Sequence, residues 1–123
     1  MKAVIDTSAL IEYTRGNDGV SRLLEGSDGL NISAISAYEA LAGVQGAKRA
    51  KMKEFFRQFP QIPFTSRDAD AAARIHDQLK ESGKMINSMD VLIAAQAAER
   101  GLVVITMDSD FENVRGLAVH LIK

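Results

Sequence analysis

Short hydrophobic runs alternate along the chain with longer amphipathic stretches, and this alternation predicts strands separated by helices. The predicted strands cover residues 3–5, 30–32, 62–64, 102–105 and 117–122. The run at 102–105 is unbroken and mostly β-branched, as is typical of a strand that a parallel sheet buries on both faces. Pro63 restricts the third strand to a sheet edge or a strand start.

Helical periodicity predicts six helices, at residues 8–15, 19–25, 36–45, 48–59, 67–82 and 88–100. Pro60 ends the fourth helix, and Gly83 and Gly101 end the last two. The last helix is apolar almost all round, which predicts a buried helix. Strands separated by helices favour an α/β fold with a mainly parallel sheet, and 123 residues fit one domain over 1–123.

Composition removes several classes of function. The chain has no cysteine, which excludes disulfides, thiol nucleophiles and cysteine-based zinc sites. A formal net charge of −1 argues against binding nucleic acid by bulk positive charge, although not against nucleic acid as a substrate at one site. No apolar run approaches the ~18 residues of a membrane span, and Asp6 interrupts any signal-peptide core. We therefore expect a cytoplasmic protein without a membrane partner.

Acidic residues follow two of the predicted strands. Asp6 comes directly after the first strand, and Asp108 and Asp110 come just after the strongest one. Ligands of parallel α/β sheets bind at the carboxyl ends of the strands, so these acids are expected to meet there. Asp90 opens the buried helix and Glu39 lies near the start of another. Those two would join the group only if their helices begin at the same face of the sheet.

Each acid also has a purely structural interpretation. Ser36 and Glu39 have the spacing of a helix capping box. Asp90 would lie in a first helical turn, where the helix dipole favours a carboxylate, three residues after a possible Asn87 cap. Three acids suit a helix cap or a turn after a strand: Asp6, Asp108 and Asp110. The coincidence of all five at one predicted edge favours a shared site.

Four or five carboxylates within a few ångströms cannot all ionise without a cation. Oxygen ligands without His or Cys select Mg²⁺ or Mn²⁺. Such a cation polarises a phosphoryl oxygen and makes a bound water more acidic, as hydrolysis of a phosphodiester requires. One ion, or two about 4 Å apart, would serve this chemistry, and the sequence leaves that choice open.

Four segments resemble the PIN domain, and within it the VapC-type ribonuclease toxins of prokaryotic toxin–antitoxin pairs. They read VIDTSALI at 4–11, ISAYEALAG at 35–43, DVLIAA at 90–95 and ITMDSDF at 105–111. The segments occur in the family's order and spread over nearly the whole chain. The resemblance implies a three-layer α/β/α sandwich with a central parallel sheet.

The resemblance also implies a site and partners. The expected Mg²⁺- or Mn²⁺-binding quartet is Asp6, Glu39, Asp90 and Asp108. Asp110 looks like the family's common fifth acid, and Ser8 and Thr106 match hydroxyl residues that the family has beside its first and late Asp. Members of the family cleave RNA, usually pair as homodimers, and as toxins are held inactive by a cognate antitoxin.

Basic residues crowd one predicted helix. Five bases occur within ten residues and only Glu54 opposes them: Lys48, Arg49, Lys51, Lys53 and Arg57. One interpretation is the solvated face of a surface helix. The other is a track for RNA phosphates beside the acidic site, with the first four of these bases as candidate contacts.

Three functions remain as hypotheses. The leading one is a metal-dependent endoribonuclease, with Asp6, Glu39, Asp90 and Asp108 in the catalytic site. The second is a PIN-fold module that binds RNA or protein without cleavage. The third is another α/β phosphate enzyme, but aspartyl-nucleophile phosphatases require Asp-x-Asp after the first strand, and this chain has Ser8 at the second of those positions.

Overall fold

The computed structural model describes residues 2–26 and 28–123 and has an α/β fold. Five strands form one sheet in the order β3-β2-β1-β4-β5, and every neighbouring pair is parallel. The strands are β1 (Ala3–Ile5), β2 (Leu30–Ser33), β3 (Gln61–Ile62), β4 (Val103–Thr106) and β5 (Val119–Leu121). The predicted α/β class and parallel sheet are confirmed.

All six predicted helices are present, with shifted ends. They are α1 (Thr7–Thr14), α2 (Asp18–Glu25), α3 (Ala34–Ala42), α4 (Gly46–Phe56), α5 (Ser66–Ser82) and α6 (Ser88–Arg100). Helices α3 and α4 begin and end earlier than predicted. For α3 the reason is that Ser33 caps its start and Gly43 follows its end. A short 3-10 helix at Ser109–Asn113 was not predicted.

The sheet separates two hydrophobic cores. Val4 and Val104 are fully buried in a core shared with α5 and α6. Ile5 and Ile105, the next residue of each strand, are fully buried in a second core shared with α1, α2, α3 and α4. Successive side chains of a strand point to opposite faces, so two adjacent strands supply both cores. The expected three-layer α/β/α sandwich is therefore confirmed.

The strand order places a topological switch point between β1 and β4. From β1 the chain adds β2 and then β3 on one side, and it later adds β4 and β5 on the other side. In open α/β sheets, the crevice beyond the carboxyl ends of such a pair is where ligands bind. Within residues 2–26 and 28–123, no helix has the length and apolar character needed to cross a membrane.

An ion pair between a buried carboxylate and a partly exposed guanidinium joins α5 to α6. Asp68, fully buried, accepts hydrogen bonds from Arg100 Nη1 at 2.7 Å and Nη2 at 3.0 Å. Its carboxylate also completes a capping box with Thr65 at the start of α5. The Arg100 guanidinium holds the pKa of Asp68 below its ordinary value of 3.8. This pair joins the beginning of one helix to the end of the other.

Removing the buried partner is expected to destabilise the fold. Asp68→Ala leaves Arg100 without its carboxylate, at a cost of about 3 kcal/mol in the free energy of unfolding. Asp70→Ala, which removes an exposed carboxylate paired with Arg74, is the matched control and should cost under about 1 kcal/mol. Urea denaturation of both variants measures the difference, and equal costs would contradict this role for Asp68.

Candidate active site

Asp6 ends β1 and caps α1. Its Oδ1 accepts a hydrogen bond from the Ala9 amide at 2.9 Å, which pairs one of the amides that a helix start leaves free. The residue is only 2 % exposed. Burial raises the pKa of Asp6, although the hydrogen bonds that it accepts oppose this shift. The helix-cap interpretation of Asp6 is confirmed, and the same carboxylate lies at the switch point.

Two hydroxyl groups hold the Asp6 carboxylate. Thr106 Oγ1 donates to Oδ2 at 2.6 Å, and Ser8 Oγ lies 2.9 Å from both carboxylate oxygens. Each hydroxyl also accepts from a backbone amide, Thr106 from Asp108 at 2.9 Å and Ser8 from Met107 at 3.3 Å. Because the amides donate to the hydroxyl oxygens, both hydroxyl protons are free to point at Asp6.

Glu39 lies on α3 and is partly buried. Its Oε1 accepts a hydrogen bond from Thr7 Oγ1 at 2.6 Å. The capping-box interpretation is wrong, because α3 begins earlier and its N-cap is Ser33, which accepts from the Ile35 amide. Ser36 therefore lies inside the helix, and its buried hydroxyl has no hydrogen-bond partner in the described part of the chain.

Asp90 lies in the first turn of α6, where Asn87 is the N-cap. Burial is the largest cause that raises the pKa of Asp90 from 3.8 to about 7. Four negative neighbours contribute the rest, in decreasing order Asp6, Asp108, Glu39 and Asp110. The five acids picked out in the sequence therefore share one electrostatic environment, and α3 and α6 bring theirs to the face where β1 and β4 end.

Asp108 and Asp110 follow β4. Asp108 is the N-cap of the 3-10 helix, and its Oδ1 accepts from the Asp110 amide at 2.9 Å. Asp108 is partly buried, whereas Asp110 is exposed. The turn interpretation of this segment is confirmed in the form of a 3-10 turn, which leaves the Asp110 side chain at the outer side of the acidic group.

No basic side chain neutralises these five acids. Within the described residues, none of them forms an ion pair with Lys, Arg or His. In that part of the chain, no group of three or more Asp, Glu, His or Cys side chains is already arranged to hold a metal ion. The donors are carboxylate and hydroxyl oxygens, the ligands of Mg²⁺ and Mn²⁺. A divalent cation would offset the burial and the repulsion that together raise the pKa of Asp90, so the residues fit such an ion.

The basic residues of α4 face two directions. Lys48 lines a groove of about 370 Å³ that Glu39 also lines. Lys51 lines a neighbouring groove that it shares with Lys48. Arg49 and Lys53 line a different groove, on another face of the helix. The four bases therefore do not form a single track, and Lys48 is the one that shares a groove with a candidate acid.

Thr7 is the site residue that the sequence reasoning missed. The Thr-Ser pair after Asp6 carries two hydroxyls, and the expectation assigned a role only to Ser8. The structure separates them, with Ser8 on Asp6 and Thr7 on Glu39. The signal was the adjacency of two hydroxyl residues at a strand end, but their different targets depend on where α3 packs against α1.

The fold and the site define an α/β protein with a carboxylate-rich site at the switch point of its sheet. A family model for the PIN domain matches residues 3–117, which include all five acids. The chain therefore belongs to the PIN-domain family, as the four sequence segments indicated.

One sequence relative and two solved structures show what this chain is similar to. Ribonuclease VapC5 of Mycobacterium tuberculosis is 33% identical over 122 residues, covering 94% of this chain and 89% of that protein. A crystal structure of VapBC-5 from Mycobacterium tuberculosis, a member of the VapBC family of toxin–antitoxin systems, superposes with a TM-score of 0.75 at 27% identity, covering 99% and 98% of the two chains. VapBC2 of Rickettsia felis, bound to promoter DNA, superposes with a TM-score of 0.87 over both full lengths at 20% identity, which supports the fold.

The raised pKa of Asp90 predicts an unusual dependence of stability on pH. Between pH 3.8 and about 7 the folded chain holds a proton that the unfolded chain releases, so stability falls as pH rises through this interval. Asp90→Asn removes the charge. At pH 8 in EDTA the variant should be more stable than the natural chain by about 1–2 kcal/mol in the free energy of unfolding. The gain is smaller than the full pKa shift would give, because Asp90 is partly exposed to solvent.

Urea denaturation at pH 5 and at pH 8 measures this effect. The stability that Asp90→Asn gains over the natural chain should become smaller towards pH 4, where the Asp90 side chain of the folded natural chain is protonated. Asp77→Asn on α5, an exposed acid, is the control. A natural chain that is as stable as Asp90→Asn at pH 8 without metal would contradict the electrostatic account.

Proposed function

We propose that this chain is a metal-dependent endoribonuclease, formed by a single PIN domain over residues 1–123, that hydrolyses RNA phosphodiester bonds. The observation that carries the proposal is the group of five carboxylates at the switch point, which no basic residue of the described chain neutralises and in which the pKa of Asp90 is about 7. The ribonuclease names of relatives such as VapC5 support the same activity.

Four acids have the catalytic role in this proposal: Asp6, Glu39, Asp90 and Asp108. They bind Mg²⁺ or Mn²⁺ directly or through water, and Asp110 assists from the exposed side. When bound, the cation supplies Lewis acidity that polarises the phosphodiester and lowers the pKa of water. Ser8 and Thr106 fix the orientation of the Asp6 carboxylate.

RNA reaches this site along the groove that Lys48 and Glu39 line, with Lys48 as a phosphate contact. The positive Lys48 side chain beside the acidic centre attracts the polyanionic RNA, whose scissile phosphate must approach the bound metal. Lys51, in the neighbouring groove, is a second candidate contact. Arg49 and Lys53 face elsewhere and are assigned to the solvated surface of α4.

The biological role that fits best is the toxin of a toxin–antitoxin pair. The similarity to VapBC-5, described as a member of such systems, supports a cognate antitoxin as partner. We further propose that the chain acts as a homodimer, as the family resemblance implies, and that it acts in the cytoplasm.

Catalysis should require both the metal and the acids. The purified chain is expected to cut single-stranded RNA with Mg²⁺ or Mn²⁺ and to lose this activity in EDTA. Asp6→Asn and Asp90→Asn should each lower the rate by more than about a hundredfold, because each removes a charged ligand from the cation. Gel analysis of labelled RNA measures the rates.

Asp77→Asn, an exposed acid on α5, provides the matched control and should cleave at the natural rate. Cleavage that persists undiminished in EDTA would exclude the metal mechanism. Metal binding without cleavage of any RNA would instead favour a binding module that has kept the site.

Lys48 should act through the charge of the RNA. Lys48→Ala is expected to weaken kcat/KM about fivefold and to make the slope of log kcat/KM against log salt about 0.7 less steep, the value for one contact to a single-stranded phosphate. Lys53→Ala, on the other face of α4, removes the same charge from the same helix and should leave that slope unchanged. Equal changes in both variants would indicate a general charge effect.

A further inference from the structure

Two hydroxyl residues in succession serve two different acids. Ser8 Oγ lies against Asp6, whereas Thr7 Oγ1 donates to Glu39 Oε1 at 2.6 Å. The second bond joins the first residue of α1 to α3, across 32 residues of sequence. The distance of 2.6 Å lies within the ordinary range for an O–H···O hydrogen bond.

The local backbone leaves the Thr7 hydroxyl free for this task. A Thr at a helix start often caps the helix, but here Asp6 is the cap and accepts from the Ala9 amide. Thr7 lies one position further on, inside the helix. Its hydroxyl makes no hydrogen bond in the described chain other than the one to Glu39.

Glu39 has fewer hydrogen bonds to its carboxylate than Asp6 has. A glutamate has three rotatable side-chain bonds, and ordering them costs more entropy than ordering a shorter acid. Asp6 has hydrogen bonds from Ala9, Ser8 and Thr106. Glu39 has the one from Thr7, and its Oε2 accepts no hydrogen bond from the described residues.

We propose that Thr7 is a positioning residue, which holds Glu39 Oε1 so that Oε2 remains available as a ligand for the divalent cation. The proposal rests on the proposed metal-dependent function and adds a residue to it. Groups that orient a metal ligand typically change metal affinity by 10- to 100-fold when they are removed. One hydroxyl acting on one of several ligands should lie at the lower end of that range.

The test measures metal binding without RNA. Thr7→Val keeps the β-branched shape and removes the hydroxyl, whereas Thr7→Ser keeps the hydroxyl. Calorimetric titration of the full chain with Mn²⁺ should give a Kd about tenfold weaker for Thr7→Val and within about threefold of the natural value for Thr7→Ser. Thr14→Val, in the last turn of the same helix with its hydroxyl on the Ile11 carbonyl, should bind as the natural chain does.

A double-mutant cycle separates positioning from a general effect on the fold. In a Glu39→Gln background, Thr7→Val should weaken Mn²⁺ binding no further, because Thr7 acts through the Glu39 carboxylate. Thermal unfolding in EDTA should show that the variants remain folded. A loss of affinity that is equally large in both backgrounds would overturn the proposal.

Two other outcomes would also overturn it, and they differ in what else fails. If the natural chain binds Mn²⁺ and Thr7→Val binds it equally well or more tightly, the positioning role is wrong while the metal site stands. If the natural chain itself binds no Mn²⁺, the metal-dependent function fails together with this inference.

Discussion

Parallel pairing of β1 with β4 is the constraint on which the rest of the structure depends. Ile5 lies opposite Ile105 in this register, so Asp6, directly after β1, lies beside Thr106, the last residue of β4. The Thr106 hydroxyl therefore reaches Asp6 across a hundred residues of sequence. The same pairing buries alternate side chains in two different cores. A slip by one residue would exchange the cores and separate the two side chains, so one register fixes both stability and the site.

The acids at this edge meet the cost of burial in different ways. Asp6 is almost wholly buried, but three neighbours donate hydrogen bonds to it. Asp90 is half-buried, has no hydrogen bond to its carboxylate among the described residues, and shows the result in a pKa of about 7. Asp6 is therefore held in place by the fold, whereas Asp90 has the most to gain from a cation. Buried, closely spaced negative side chains therefore remain at the place where the proposed chemistry needs a cation.

Much of this arrangement could be predicted from the sequence. The β-branched run before Asp108 identified a buried parallel strand, and the rule for carboxyl ends brought that acid to Asp6. The contacts that fix geometry were not predictable, because they depend on how helices pack and on rotamers. Nothing in the local sequence shows that Gln96, in the middle of α6, donates a hydrogen bond to the Ile62 carbonyl of β3. Nor does it show that Arg100 reaches Asp68. The periodicity that predicts a helix does not show which of its polar residues meets which neighbour.

The strand order also governs when the site can exist during synthesis. β1 is made before its neighbour β4, and a hundred residues of sequence separate Asp6 from Thr106. Until β4 has been made and has paired with β1, Asp6 has no Thr106 to hold it and remains apart from the acids that follow β4. The acidic site therefore forms only after this long-range strand pairing. Completion of the site is thus tied to completion of the sheet.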